Sequence, residues 1–246
     1  MATIEIAVQD AAGAAIAKER GANRIELCSA LTTGGLTPSL ALTEAAVAVG
    51  IDVAVLVRPR PGDFEHSPDE IELCARDIEL AIQAGASGVV IGALREGGLD
   101  TEAIAHWRDV ARAQHVDAEI TVHRCVDVLL DQGMSPQALL AELNELGGIT
   151  RILTSGGAPT CREGREVLGE LARNSGAIEI QAGGGLKPAD IPDLLERGLR
   201  AFHLSARAEK VSGPTGPGGG SSSYDVTDAD VVAQAVACTS PESESR

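Results

Sequence analysis

The chain has 246 residues, of which 44% are hydrophobic, 23% are charged and 2% are aromatic, and its formal net charge at pH 7 is −16. This length and composition are enough to bury one sizeable core, so a single domain is predicted over residues 1–238. The acidic charge argues against non-specific binding to nucleic acid or to anionic membranes, because neutralising phosphates requires a basic surface.

The N-terminal stretch, MATIEIAVQD, enters an apolar alternating pattern at once, without a basic start or a long apolar run. We therefore expect neither a signal peptide nor a membrane span, and a cytoplasmic location. The five cysteines are widely separated and form no CxxC pair, which argues against a disulfide framework and a structural zinc site. They are predicted to be reduced thiols.

In chain order, short β-branched apolar runs alternate with segments whose apolar residues recur at helical spacing, so each repeat predicts one strand and one helix. The runs occupy residues 4–8, 23–27, 53–57, 87–91, 119–123, 150–154, 178–182 and 201–205. Four helical segments end on a glycine before the next run, where a left-handed C-cap belongs. These glycines are Gly21, Gly85, Gly147 and Gly198.

Strands that alternate with helices favour a parallel sheet, because each parallel connection needs a crossover long enough for a helix. Eight such units match an α/β fold of the (β/α)8 TIM-barrel type. The competing fold is an open doubly wound sheet. Residues 9–13, after the first strand, lack the glycine fingerprint of a dinucleotide-binding sheet, and the closed barrel is therefore favoured.

Two segments differ in composition from the barrel. Residues 213–223 are rich in glycine and serine and follow the eighth strand, so they are predicted to form a flexible loop. That loop is either a lid over an active site or an insertion of no consequence. The polar stretch 239–246 is predicted to be a disordered tail.

In a barrel of this type the C-terminal ends of the strands carry the active site, and alternation decides which side chains face inward. The inward set combines an acid, a base and guanidinium groups, with a thiol and a hydroxyl. Its members are Glu5, Arg24, Glu26, Cys28, Arg58, Arg60, Thr121, His123, His203 and Ser205. They form either a reaction site with tuned pKa values or an ion-pair lattice that only holds the barrel together.

Glycines after the sixth and seventh strands suggest what kind of ligand binds. Gly183, Gly184 and Gly185 follow the seventh strand, and Ser205 follows the eighth. This corner of a barrel commonly binds phosphate through backbone N–H groups, although the same glycines could simply form a tight turn. Ser155, after the sixth strand, offers further donors. A small anionic or hydroxylated ligand is predicted.

Six ordered blocks of the sequence together form a specific pattern: GANRIELCSALTTGGLTPS (21–39), VRPRPGDF (57–64), TVHRCVD (121–127), RILTSGG (151–157), AGGG (182–185) and FHLSAR (202–207). These blocks closely resemble the CutC family of copper homeostasis proteins. The resemblance implies a cytoplasmic barrel that acts in copper handling and binds copper. Family motif positions fall on Glu5, Glu26, Cys28, Arg58, Arg60, Asp63, His123, Arg124, Asp127, Ser155 and His203.

The resemblance implies that Cys28 and His123 are the ligands of copper. Copper(I) prefers soft thiolate and thioether ligands. Many relatives place a cysteine two residues after the first-strand glutamate, where this chain has Ala7. Cys28 therefore lacks its expected thiol partner, and a small buried side chain is the competing interpretation of Cys28.

Three functions remain open at this stage. The first is copper binding in copper homeostasis. The second is an enzyme acting on a phosphorylated or polyhydroxylated metabolite, with Glu26, His123 and Asp127 as catalytic groups and the arginines, Glu5, Ser155, His203, Ser205 and the glycines as ligand contacts. The third is a non-catalytic scaffold. The sequence leaves homo-oligomer formation open.

Overall fold

A computed structural model of the chain describes residues 2–213, 215, 217 and 222–239. Eight parallel strands form a closed barrel in the order β1-β10-β9-β8-β7-β4-β3-β2. Their bounds are β1 Thr3–Val8, β2 Arg24–Leu27, β3 Asp52–Leu56, β4 Gly88–Ile91, β7 Glu119–Val122, β8 Arg151–Thr154, β9 Glu179–Gly183 and β10 Ala201–Leu204. The predicted barrel is confirmed, and each of the eight predicted runs overlaps one of these strands.

Helices surround the barrel and connect successive strands. Among the described residues they are α1 Ala11–Glu19, α2 Leu40–Val47, α3 Pro68–Gln83, α4 Thr101–Gln114, α5 Cys125–Asp131, α6 Pro136–Leu146, α7 Arg165–Asn174, α8 Ile191–Glu196 and α9 Ala229–Ala237. Local signals fix where they start: Ser67 caps α3 in a capping box with Glu70, and Ser135 caps α6 before Pro136. The four predicted C-terminal glycines all have positive φ.

Two antiparallel hairpins lie outside the barrel. Strands β5 (Leu94–Arg95) and β6 (Gly98–Leu99) pair after β4, and β11 (Arg207–Val211) pairs with β12 (Ser223–Thr227) after β10. The second hairpin brackets most of the predicted flexible loop 213–223. Most of that loop, and residues 240–246 of the predicted tail, lie outside the described residues.

The core has two parts, as alternation along the strands predicts. Ile4, Ile6 and Ile25 belong to the larger cluster, which also contains buried side chains from the helices. A smaller cluster combines Cys28, Ala54, Leu56 and Val90. Strand residues with alternate side chains thus separate into the two layers of a barrel.

The N-terminal ends of the strands carry a buried ion-pair network. Arg24 pairs with Glu119 and, through Nε at 2.7 Å, with Glu5. Arg151 pairs with Glu119 at 3.3 Å and donates from Nε to Glu179 at 2.9 Å. Both guanidinium groups are almost fully buried, and the network joins β1, β2, β7, β8 and β9.

None of the helices in the described part of the chain is long and apolar enough to span a membrane. The five cysteines form no disulfide, and all except Cys238 are buried.

Candidate functional site

A cavity of about 420 Å³ opens at the C-terminal end of the barrel. Seven of the predicted site residues line it: Glu26, Arg58, His123, Gly184, Gly185, His203 and Ser205. They come from loops and strand ends far apart in sequence, so closure of the barrel brings the predicted charged groups together. Apolar walls are supplied by Leu31, Leu56, Phe64, Leu153, Leu186 and Leu204.

Glu26, His203 and Glu5 form the deepest part of the site. Nδ1 of His203 lies 2.8 Å from Oε1 of Glu5, which also accepts a hydrogen bond from Gln181 at 2.9 Å. Glu5 lies beneath the cavity rather than in its lining, and the Arg24 ion pair occupies its second oxygen. Both oxygens of the Glu5 carboxylate therefore contact polar or charged groups of the barrel.

The two glutamates have opposite pKa shifts, which separates their roles. Burial raises the pKa of Glu26 to about 7, with a further contribution from the negative charge of Glu5. Burial also acts on Glu5, but hydrogen bonding with His203 and the positive charge of Arg24 outweigh it and lower the pKa of Glu5 to about 2. Glu5 is thus a permanent anion, whereas Glu26 exchanges a proton near neutral pH.

His203 lies beside both carboxylates. Burial alone would lower its pKa, but the negative charge of Glu26 and the hydrogen bond and negative charge of Glu5 outweigh burial and raise it. Its Nδ1 is hydrogen-bonded to Glu5, and the side chain lines the cavity that Glu26 also lines. The two carboxylates therefore favour the protonated form of this imidazole.

His123 follows β7 and lies against Phe64, with the ring centroids 4.8 Å apart. Its Nδ1 accepts a hydrogen bond from the backbone N–H of Cys125 at 3.2 Å. Its Nε2 is buried without a partner in the described part of the protein. Burial and the nearby charge of Arg58 lower the pKa of His123 to about 3, so the ring is neutral at physiological pH.

Arg58 and Arg60 have different surroundings, although the sequence placed both in the pocket. Arg58 is buried, lies 5.0 Å from the centre of the Phe64 ring, and donates to backbone oxygens of Thr33, Gly35 and Gly62. Its charge thus faces the cavity without a bound carboxylate.

The guanidinium of Arg60 is instead drawn away from the cavity. It bonds to Asp63 at 2.9 Å and Glu70 at 2.6 Å at the start of α3. The expectation that Arg60 lines the cavity is therefore wrong. Its guanidinium instead forms ion pairs with two neighbouring carboxylates outside the cavity. Strand alternation could not reveal these loop contacts.

Asp127 and Ser155 also lie behind the cavity rather than in it. Oδ1 of Asp127 accepts from the hydroxyl of Thr154 at 2.5 Å and from the backbone N–H of Gly157 at 2.9 Å. Oδ2 bonds to Nε of Arg124 at 2.7 Å, and the other arm of Arg124 donates to the Ser155 hydroxyl at 2.9 Å. Both residues therefore position Arg124, which does line the cavity.

The three glycines at the end of β9 and just after it, residues 183–185, also differ in whether they line the cavity. Gly184 and Gly185 line the cavity with φ values of +116° and +59°. A Cβ on Gly184 would lie 2.7 Å from Cζ of Arg124, so glycine allows this guanidinium to lie against the backbone. Gly183 is covered by Leu153 and His203, and its role is to make room for them.

Cys28 is a buried thiol with an apolar neighbourhood. It packs with Ala54, Leu56 and Val90, and its Sγ lies 3.6 Å from the carbonyl oxygen of Val8. Burial, together with the negative charge of Glu26, raises the pKa of this thiol far above its usual value. The chemistry favours the neutral thiol rather than a thiolate ligand.

Only one cluster in the described part of the chain has three metal-capable side chains within reach of each other. It comprises Glu5, Glu26 and His203, whose ligand atoms lie within 4.8 Å. Cys28 and His123 do not belong to it. Four contributors are absent from the predicted catalytic and ligand-binding residues. Arg24 and Gln181 bind Glu5, Phe64 supports both Arg58 and His123, and Arg124, which only the family resemblance indicated, lines the cavity. Alternation along β2 predicted that Arg24 faces inward, but no local sequence pattern indicated a role for Gln181.

A search of protein-family models matches the CutC family over residues 2–208. The CutC family protein of Agrobacterium fabrum is 40% identical over 215 residues, which cover 86% of this chain and 82% of the relative. The human copper homeostasis protein cutC homolog is 38% identical over 214 residues, covering 85% of this chain and 75% of that protein.

Solved structures agree with the architecture. The crystal structure of a Streptococcus agalactiae protein that carries the name copper homeostasis protein CutC has a TM-score of 0.73 and 25% identity, and covers 83% of this chain and 99% of that one. A deoxyribose phosphate aldolase from Aeropyrum pernix, with a TM-score of 0.60, 12% identity and coverage of 82% of this chain and 85% of its own, shares the fold alone. The chain therefore belongs to the CutC family.

Proposed function

We propose that this chain contributes to copper homeostasis, as the names of its relatives state, through small-molecule chemistry in the barrel cavity rather than by holding copper on thiolates. The substrate class is a small anionic metabolite in the cytoplasm. Glu26 is the proton-transfer group, and Arg58 and Arg124 attract the anionic group of the ligand.

One observation carries this proposal. Glu26 Oε2 and His123 Nε2 are both buried polar atoms without a partner among the described residues, and both side chains line the same cavity. Each unsatisfied buried polar atom costs about 1–3 kcal/mol, so such atoms are expected where a ligand completes them. Among the described residues that line the cavity, Arg58 and Arg124 carry guanidinium groups and Glu26 alone carries a carboxylate.

Copper(I) does not fit the residues that the structure places together. Copper(I) prefers soft thiolate or thioether ligands, but Ala7 stands where many relatives have a second cysteine, and Cys28 packs among the apolar side chains of Ala54, Leu56 and Val90. The oxygen and nitrogen donors of Glu5, Glu26 and His203 include no sulfur, and the Glu5 carboxylate already contacts Arg24, Gln181 and His203. The geometry thus favours a metabolite over the metal.

Two measurements on the full chain test the proposal. Thermal-shift screening and calorimetry with phosphorylated two- to four-carbon acids should show saturable stabilisation of the wild type that Glu26→Gln and Arg124→Gln weaken. Titration with copper(I) against a chromophoric chelator should give the same result for wild type and Cys28→Ser. Stoichiometric copper(I) binding that Cys28→Ser abolishes, together with indifference to every anion, would overturn the proposal in favour of a metal-binding role.

A further inference from the structure

The ring of His123 is held in one tautomer by the backbone beside it. The N–H of Cys125 donates to Nδ1, and the backbone N–H of His123 itself donates to the carbonyl of Ile91 at 2.8 Å, which fixes the residue at the end of β7. Only a ring nitrogen without a proton can accept an N–H bond. A neutral His123 therefore carries its proton on Nε2.

The backbone of Gly92 and the ring of Phe64 pack against the His123 ring. Gly92 lies against it, and a Cβ at Gly92 would be 2.5 Å from Nδ1 of His123 and 2.6 Å from Sγ of Cys125. Phe64 packs on the ring, and Arg58 lies over Phe64. A positive charge this close opposes a second proton on the ring, so the ring remains a neutral donor.

The Nε2–H group is the part of the ring left for a ligand. His123 is 5% exposed and lines the cavity, and its Nε2 has no partner in the described residues. A buried N–H donor can be satisfied only by an acceptor, and the groups lining the cavity near it, Arg58 and Phe64, offer none. The acceptor must therefore arrive with the bound molecule or as water.

We infer that His123 donates a hydrogen bond from Nε2 to a carbonyl or carboxylate oxygen of an anionic ligand, and is neither a general base nor a metal ligand. This inference rests on the proposed function and narrows its substrate class to anions that carry a carbonyl-type oxygen. A preorganised donor in a cavity of low dielectric also stabilises negative charge that develops on such an oxygen during reaction.

The tautomer can be tested without any ligand. Long-range proton–nitrogen correlation spectra of the uniformly ¹⁵N-labelled chain should show, for His123, a neutral Nε2–H imidazole that does not titrate between about pH 5 and pH 8. The chain has five histidines, and His123→Gln should remove that signal alone, whereas His106→Gln, on the outer face of α4, should leave it. A Nδ1–H pattern, or a ring that titrates in this range, would overturn the inference.

Binding gives the second test. The probes are 2-phosphoglycolate, which places a carboxylate beside its phosphate, and ethyl phosphate, which lacks that acceptor. His123→Ala should weaken 2-phosphoglycolate by about tenfold to a hundredfold and ethyl phosphate by less than about threefold. His123→Gln, whose amide N–H can replace Nε2–H, should restore most of the affinity, and His106→Gln should match the wild type.

The possible outcomes distinguish the donor role of His123 from the proposed function, anion binding in the cavity. If neither anion binds the wild type, the proposed function fails. If both anions bind but His123→Ala weakens them equally, or His123→Gln is no better than His123→Ala in a variant that remains folded by circular dichroism, the donor role fails while the anion pocket stands.

Discussion

Asp127 holds Ser155 at two points: its Oδ1 accepts the Ser155 backbone N–H and its Oδ2 accepts the Ser155 hydroxyl, both at 3.0 Å. These contacts tie α5 to the end of β8. Because Arg124 binds the same Oδ2 and the same hydroxyl, the pair also determines where this guanidinium lies at the cavity. Asp127, which the sequence nominated as catalytic, is a positioning residue in this arrangement.

Asp127→Asn should reduce the free energy of unfolding by about 2–4 kcal/mol, because an amide cannot accept at both ends and would leave buried donors unpaired. Urea denaturation followed by circular dichroism would measure this. The matched control is Asp109→Asn on the exposed face of α4, where a change within about 0.5 kcal/mol is expected. Equal effects of the two substitutions would contradict the role of Asp127.

Glu26→Gln should stabilise the protein increasingly as the pH rises. The folded pKa of Glu26, about 7, lies above its ordinary value of 4.5, so in the wild type its favourable contribution is complete below pH 4.5 and is lost as the pH rises through about 7. Glutamine does not ionise, so the variant does not lose this stability as the pH rises. Above pH 8 its free energy of unfolding should exceed that of the wild type by on the order of 3 kcal/mol.

The measurement is denaturant unfolding of wild type and Glu26→Gln at several pH values between about 5.5 and 8.5. The difference between the two free energies should widen across this interval. A difference that stays constant with pH would show that Glu26 is ionised throughout.

Glu5→Gln should lower the free energy of unfolding, whereas Glu26→Gln raises it. The folded pKa of Glu5, about 2, lies below 4.5, so its stabilisation is present above pH 4.5 and is lost as the pH falls through about 2. The substitution also leaves Arg24 and His203 short of a buried counter-charge, so a loss of about 3–5 kcal/mol is expected at neutral pH. Thermal melts near pH 7 would check this, and a wild-type melting temperature would refute it.

Arg124→Gln and Arg60→Gln should differ in their effect on anion affinity. Arg124 lines the cavity, whereas Arg60 is held by Asp63 and Glu70 outside it. Calorimetry with 2-phosphoglycolate should show a loss of about tenfold for Arg124→Gln and no significant change for Arg60→Gln. A larger loss for Arg60→Gln would place the anionic group at the outer loop instead.

Much of the architecture could be predicted because regular periodicities determine it. Alternation along β1 and β2 correctly turned Glu5 and Glu26 inward, and helix-terminal glycines such as Gly85 marked where connections return to the sheet. These signals are local and repeat with each unit.

The fine structure of the site could not be predicted in the same way. Whether Arg60 turns toward the cavity or toward Glu70 depends on loop geometry, and whether Asp127 lines the cavity or supports it depends on how α5 meets β8. Such contacts join residues far apart in sequence, and periodicity carries no information about them. The family resemblance selected these positions but could not distinguish ligand contacts from their supports.

The buried ion-pair network of Arg24, Glu119, Arg151 and Glu179 fills the N-terminal end of the barrel, opposite the cavity. A molecule deep beside Glu26 must consequently leave through the mouth by which it entered. If the chain acts on a metabolite as proposed, a product would leave by the same opening through which the next substrate molecule enters. Competitive inhibition by the product is therefore the kinetic behaviour expected under the proposed function.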